Sequence, residues 1–170
     1  MQKPPVKSAR QRIGSKPLKH SSCDIEVSIA DQKLRLRCGK KLVRTYPISS
    51  SRFGLGTEPG SFRTPLGRFR IAQKIGSGAP RGTIFRSRVP LGPKDPLPDT
   101  EDLITSRILW LDGLDPDNAN TKDRYIYIHG TKHEHRIGEP DSHGCIRMRN
   151  ADVIDLFDLV QEGTLVRIID

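Results

Sequence analysis

The sequence predicts an α+β fold, mainly β, with a single helix near the C-terminus. Polar and apolar residues alternate with period two over residues 24–29 and 33–37, the pattern of half-buried strands. Helical spacing of apolar residues appears at Val153, Ile154, Leu156, Phe157 and Val160. Between these blocks lie long Ser-, Gly- and Pro-rich connections. A chain of 170 residues fits one domain with a real core.

Residues 1–22 carry six Lys or Arg, no acid and few apolar groups, and are expected to be a disordered basic arm. The domain proper is expected over 23–170. Asp24-Ile25-Glu26-Val27-Ser28-Ile29 is the first strand. The Ala30-Asp31-Gln32 turn leads to Lys33-Leu34-Arg35-Leu36-Arg37. Cys38-Gly39-Lys40 turns the chain into Lys41-Leu42-Val43-Arg44-Thr45-Tyr46, and Pro47 should end this antiparallel meander, because proline cannot donate to a ladder. Cys23 and Cys38 flank the hairpin, but an odd total of three cysteines argues against a disulfide framework, and both are expected as free thiols.

Ser49 to Gly60 reads as loop. Thr64-Pro65-Leu66-Gly67 turns into a short strand, Arg68-Phe69-Arg70-Ile71-Ala72, with Phe69 and Ile71 on one face. Residues 76–100, with clusters such as Gly92-Pro93 and Pro96-Leu97-Pro98, read as a long excursion with little regular structure, either a lid or binding loop or a merely decorative insertion. Arg107-Ile108-Leu109-Trp110-Leu111 is a strand buried on both faces. Residues 125–129 form the next strand and deliver His129 at its end. Asn150 is the expected helix cap, Gly163 the helix stop, and residues 164–169 the closing strand.

The formal charge is +9, but with the arm set aside it falls to +3 over residues 23–170. The excess is therefore mostly a tail property, and nothing in the body resembles an aromatic stacking platform or a recognition helix, so nucleic acid is not the expected partner. No stretch approaches the roughly 20 apolar residues of a membrane span. The arm lacks the apolar core of a secretory signal, so the expected location is the cytoplasm.

The chemistry concentrates in 125–150, YIYIHGTKHEHRIGEPDSHGCIRMRN, which holds four of the five histidines. A thiol reacts as thiolate, and a free cysteine has a pKa of about 8.5, so Cys145 needs a base or a positive charge beside it. If 143–147 is extended, His143, Cys145 and Arg147 share a face. His129 arrives from another strand and can meet the thiol head-on. A base also needs a group to orient its other ring nitrogen. No acid is obviously placed for this, which leaves a backbone carbonyl such as that of Gly130. Gly144, lacking a side chain, lets backbone amides approach a substrate carbonyl. His129, His133, His135, His143 and Cys145 also form a ligand-rich group, yet their spacing matches no common zinc pattern. No metal and no other cofactor is expected, and His133 and His135 read as exposed loop residues.

His129-Gly130 followed by Ser142-His143-Gly144-Cys145-Ile146-Arg147-Met148 resembles the signature of the L,D-transpeptidase catalytic domain. Thr64-Pro65-Leu66-Gly67-Arg68-Phe69 is similar to that family's Thr-Pro-x-Gly-x-Phe segment, and Gly163-Thr164-x-Val166-x-Ile168 to its ending. The resemblance covers about residues 24–170. It implies a β-sandwich-type domain and thioester chemistry on peptidoglycan stem peptides, at the bond between the L-centre of the third residue, usually diaminopimelate, and D-alanine. It implies Cys145 as nucleophile, His129 as base oriented by the Gly130 carbonyl, and an oxyanion hole from the amides around His143, Gly144 and Cys145. Arg147 is then expected to bind a substrate carboxylate and Ser142 to brace the loop. This chain departs from the family in its short connection, twelve residues between His129 and Ser142, and in lacking a recognisable signal. The combined expectation is an L,D-carboxypeptidase trimming muropeptides in the cytoplasm, with a periplasmic L,D-transpeptidase as the alternative.

Overall fold

The computed structural model describes residues 22–170; the arm expected over residues 1–22 lies outside the described residues but for Ser22. The meander forms as β1 (Cys23–Ser28), β2 (Lys33–Cys38) and β3 (Lys41–Pro47). Then come β4 (Gly67–Ile75), a short hairpin of β5 (Ile84–Arg86) and β6 (Val89–Pro90), β7 (Ile104–Gly113), β8 (Tyr127–Gly130) and β9 (Ile146–Met148). Helix α1 (Asn150–Leu159) and β10 (Leu165–Ile169) close the chain. The fold is mainly β, with all ten strands hydrogen-bonded into one mixed sheet.

Most of the sheet runs in the order β3-β2-β1-β10-β4-β7-β5-β6, with β8 added beside β7 and β9 beside β8. Two pairings are parallel, β1 with β10 and β8 with β9. The period-two pattern delivers the core: Ile25, Val27, Leu34, Leu36, Phe69, Ile71, Val166 and Ile168 are all buried on one side. Val153, Leu156 and Phe157 of α1 join the same cluster. Truncating such a side chain to alanine typically costs about 2–5 kcal/mol.

Three local expectations are corrected. Asn150 is the first helical residue rather than the cap, because its side chain is committed elsewhere. Its Nδ2 donates to the Thr131 carbonyl (3.0 Å), and its Oδ1 accepts from Thr105 and Ser106 (2.6 Å each). The far end of α1 is capped from outside by Lys74, whose Nζ donates to the carbonyls of Phe157 (2.6 Å) and Val160 (2.7 Å). A cation there also opposes the negative end of the helix dipole. The excursion over 76–100 does contain regular structure, the β5–β6 hairpin, which extends the sheet beyond β7.

The third correction concerns Cys23 and Cys38, which form a disulfide. In the antiparallel β1–β2 ladder Cys23 lies directly opposite Cys38, with the Cα atoms 4.0 Å apart. Register brings the two thiols together whatever the total cysteine count. Among the described residues no helix is long and apolar enough to cross a membrane.

Candidate active site

Strands β8 and β9 carry the candidate chemistry side by side. Their parallel register sets His129 opposite Arg147, so Cys145, just ahead of β9, lies two positions back, beside Tyr127. Side chains two apart share a face, and diagonal neighbours on a sheet are within side-chain reach. The strand starts only at Ile146, because Gly144 takes a φ of 122° in the left-handed half of backbone space. A side chain would be strained there, and a Cβ would crowd the Arg63 carbonyl at 3.3 Å. The extended face-sharing predicted from His143 through Arg147 is thus interrupted at Gly144.

Backbone groups surround the sulfur. Cys145 Sγ accepts the Tyr127 N–H (3.3 Å) and lies 3.4 Å from the Tyr125 carbonyl. Tyr125 has a φ of 55°, a conformation that costs a bulky residue energy and is characteristically held at functional sites. Tyr127, Ile108 and Phe85 form a small apolar cluster against which Cys145 packs. Burial there pushes the thiol pKa up to about 12, against the Tyr127 N–H and the nearby Arg147 and Arg124, which lower it.

His129 is buried, and its Nδ1 lies 2.6 Å from the Gly130 carbonyl. A carbonyl only accepts, so Nδ1 carries the proton and Nε2 is left as the basic nitrogen. Burial lowers the His129 pKa, opposed by the Asp102 charge. The imidazole is therefore neutral near pH 7. Among the described residues no hydrogen bond joins the His129 ring to Sγ; such bonds often tighten only with substrate in place.

The loop before Cys145 is tied at several points. Ser142 Oγ donates to the Cys145 carbonyl (2.6 Å) and accepts the Gly144 N–H (3.2 Å). Thr64, from the Thr-Pro segment, is fully buried and donates to the Gly144 carbonyl (3.0 Å). The His143 N–H reaches Asp102 Oδ2 at 3.4 Å. The last two amide contacts are long, so a developing oxyanion would compete well for either donor.

Asp102 is the residue that sequence reading missed. It ends the Pro-rich excursion, where no pattern marks it, and becomes visible only once the chain folds back. Its carboxylate accepts from Arg147 Nε (2.8 Å) and lies 3.4 Å from His143 Nδ1. His143 Nε2 in turn meets Arg52 Nη2 at 3.2 Å, so it accepts, and the ring proton sits on Nδ1 facing Asp102. Despite the cost of burial, the Asp102 pKa is lowered, by its coupling to the titrating His129 ring and by the hydrogen bond and charge of Arg147.

Arg147 stands differently from its expected role as a ligand for substrate carboxylate. Its side chain is 3% exposed and already bonded to Asp102 and to Asp141 (Nη1, 2.6 Å). It locks the loop from behind. His133 and His135 line a cleft together with His143, and His133 Nε2 donates to the Glu101 carbonyl (2.9 Å). Among the described residues no group of three His, Cys, Asp or Glu is arranged to hold a metal ion.

Comparison with known proteins adds a family to this geometry. The sequence model of the YkuD family, the L,D-transpeptidase catalytic domain, matches residues 24–168. The chain is 31% identical over 144 residues to a Bacillus subtilis protein named as L,D-transpeptidase YkuD, covering 85% of this chain and 64% of the relative. It is 32% identical over 154 residues to the Salmonella typhimurium protein named as L,D-transpeptidase ErfK/SrfK, covering 86% of this chain and 44% of the relative. The chain thus spans less than two thirds of either relative's length. In fold it is similar to an L,D-transpeptidase structure from Xylanimonas cellulosilytica, with a TM-score of 0.58 at 22% identity, covering 90% of this chain and 63% of that one. A Mycobacterium smegmatis L,D-transpeptidase gives a TM-score of 0.57 at 18% identity, covering 88% and 59%.

Proposed function

We propose that this chain, which belongs to the L,D-transpeptidase catalytic-domain family, cleaves the bond after the L-centre of a peptidoglycan stem peptide through a Cys145 thioester. One observation carries the mechanism: the Gly130 carbonyl fixes the proton on His129 Nδ1 and leaves Nε2 as a neutral base on the face that Cys145 shares. Because burial disfavours the thiolate, the proton leaves Sγ as attack begins rather than beforehand. Sγ bonds to the carbonyl carbon, His129 takes the thiol proton, and amides of the His143–Cys145 turn receive the oxyanion. Collapse breaks the C–N bond, His129 protonates the departing D-alanine amine, and the thioester remains. An incoming amine or water then repeats the sequence in reverse.

The acceptor divides two readings. Trimming by water to a tripeptide suits recycled fragments in the cytoplasm. The Cys23–Cys38 disulfide favours the second, because disulfides persist in oxidising compartments. We therefore place cross-linking outside the cytoplasm ahead of cytoplasmic trimming. The test is to incubate the protein with a tetrapeptide muropeptide, with and without an amine acceptor, and weigh the products. Dimers or exchanged tetrapeptides are expected; tripeptide alone, in the presence of acceptor, returns the carboxypeptidase reading. An unchanged tetrapeptide overturns both.

A further inference from the structure

We infer that the cleft beside His143 is a carboxylate-binding subsite in which Arg52 and Lys132 hold a carboxylate of the peptide. This rests on the stem-peptide reading and adds where substrate charge is recognised. The cleft has a volume of about 580 Å³ and opens next to the loop that carries Cys145. Its lining is rich in charge, but most of that charge is already spent. Arg147 is neutralised by Asp102 and Asp141. Arg136 is paired with Asp141 (3.2 Å) and Glu139 (3.0 Å).

Two cations remain. Among the described residues, neither Arg52 nor Lys132 has a carboxylate partner. Arg52 is nonetheless held in place, by one nitrogen against His143 Nε2 at 3.2 Å and by its guanidinium 5.0 Å from the centre of the Phe53 ring. A guanidinium has five N–H donors, so most are left for a ligand. Lys132 follows directly on β8, two residues beyond Gly130, and is exposed. Asp141 being spent on Arg136 and Arg147, the remaining acid of the lining is Glu101, which is exposed and contributes its backbone carbonyl to His133.

A tetrapeptide stem offers two carboxylates near the reacting bond, that of the terminal D-residue and that on the third residue's side chain. The shared chemistry is what the cleft reads, and amidating each in turn tells them apart. Binding is measured by calorimetry on the Cys145→Ala protein, with three probes: the free-acid tetrapeptide, the D-terminal amide and the side-chain amide. One amide should bind roughly tenfold more weakly than the free acid, as expected for losing a charge-assisted contact. Lys132→Met, at an exposed position, should cost the free acid a similar factor and leave that amide unchanged. Arg52→Met should act in the same way. Equal binding of all three probes overturns the subsite while the stem-peptide reading stands. So does an equal loss for every probe in either variant. No binding of any probe overturns the stem-peptide reading and the subsite together.

Discussion

At Cys145 burial opposes reactivity. A thiol pushed up to about 12 holds almost no thiolate at pH 7, and a buried neutral imidazole cannot pair with it as a resting ion pair. The proposed mechanism then depends on a base that strengthens as charge develops. The Asp102 charge favours the protonated form of His129 and so serves that end. Replacing His129 with alanine should cost about 10²–10⁴-fold in kcat/KM, while His133→Ala stays within a few-fold. The acid limb of the wild-type profile should lie below the ordinary histidine value of 6.5, since the His129 pKa is lowered. Asp102→Asn removes the charge that opposes this lowering. Its acid limb should move further down in pH and its plateau rate should fall. If Asp102 served only to hold Arg147, melting would change and the limb would stay in place. The base was legible beforehand and its acid was not: His129, Gly130, Ser142 and Cys145 stand in one readable window, but Asp102 comes from a patternless loop 27 residues ahead of His129.

At the scale of elements, strand periodicity carried the meander, β7, α1 and β10, because alternation and helical spacing are local signals. The β5–β6 hairpin was hidden for an equally local reason. Its strands are three and two residues long, and its turn residues Ser87 and Arg88 take φ values of 45° and 68° without the Asn-Gly signal such turns usually show. The disulfide was legible in principle, since a hairpin that pairs Val27 with Leu34 must also pair Cys23 with Cys38. Counting cysteines obscured it. Closing a loop with a sequence separation of 15 should stabilise the fold by about 3 kcal/mol through the unfolded chain. Cys38→Ser should therefore lower the melting temperature by roughly 6–12 °C, taking about 2–4 °C per kcal/mol for a domain of this size. Denatured, unreduced protein should present one reactive thiol, that of Cys145. Three thiols, or no shift in melting, would remove the disulfide and with it the argument for an oxidising compartment.

Across the whole molecule, the parallel pairings of β1 with β10 and of β8 with β9 belong to one sheet, so the strands that carry the proposed site are held by the same sheet that contains the core. Stability and the active site should consequently titrate together. His129 is lowered from 6.5, so the unfolded state takes up a proton before the folded one, and stability drains as pH falls below about 6.5. Asp102 and Asp141 are lowered from 3.8; they stabilise the fold above that value, and their contribution is lost as pH falls through their folded values. On the alkaline side the signs reverse. Cys145, raised from 9.0, and Tyr46 and Tyr127, raised from 10.0, resist ionising in the fold, so stability declines once the unfolded chain can release those protons. The melting temperature should then form a plateau between about pH 6.5 and 9, with a shallow acid shoulder followed by a steep drop below about pH 4. In His129→Gln the shoulder should vanish while the steep drop remains, because the lowered carboxylates are untouched. Scanning calorimetry across pH 3–10 decides it, and a shoulder that survives in His129→Gln would place the first acid loss at a group other than His129.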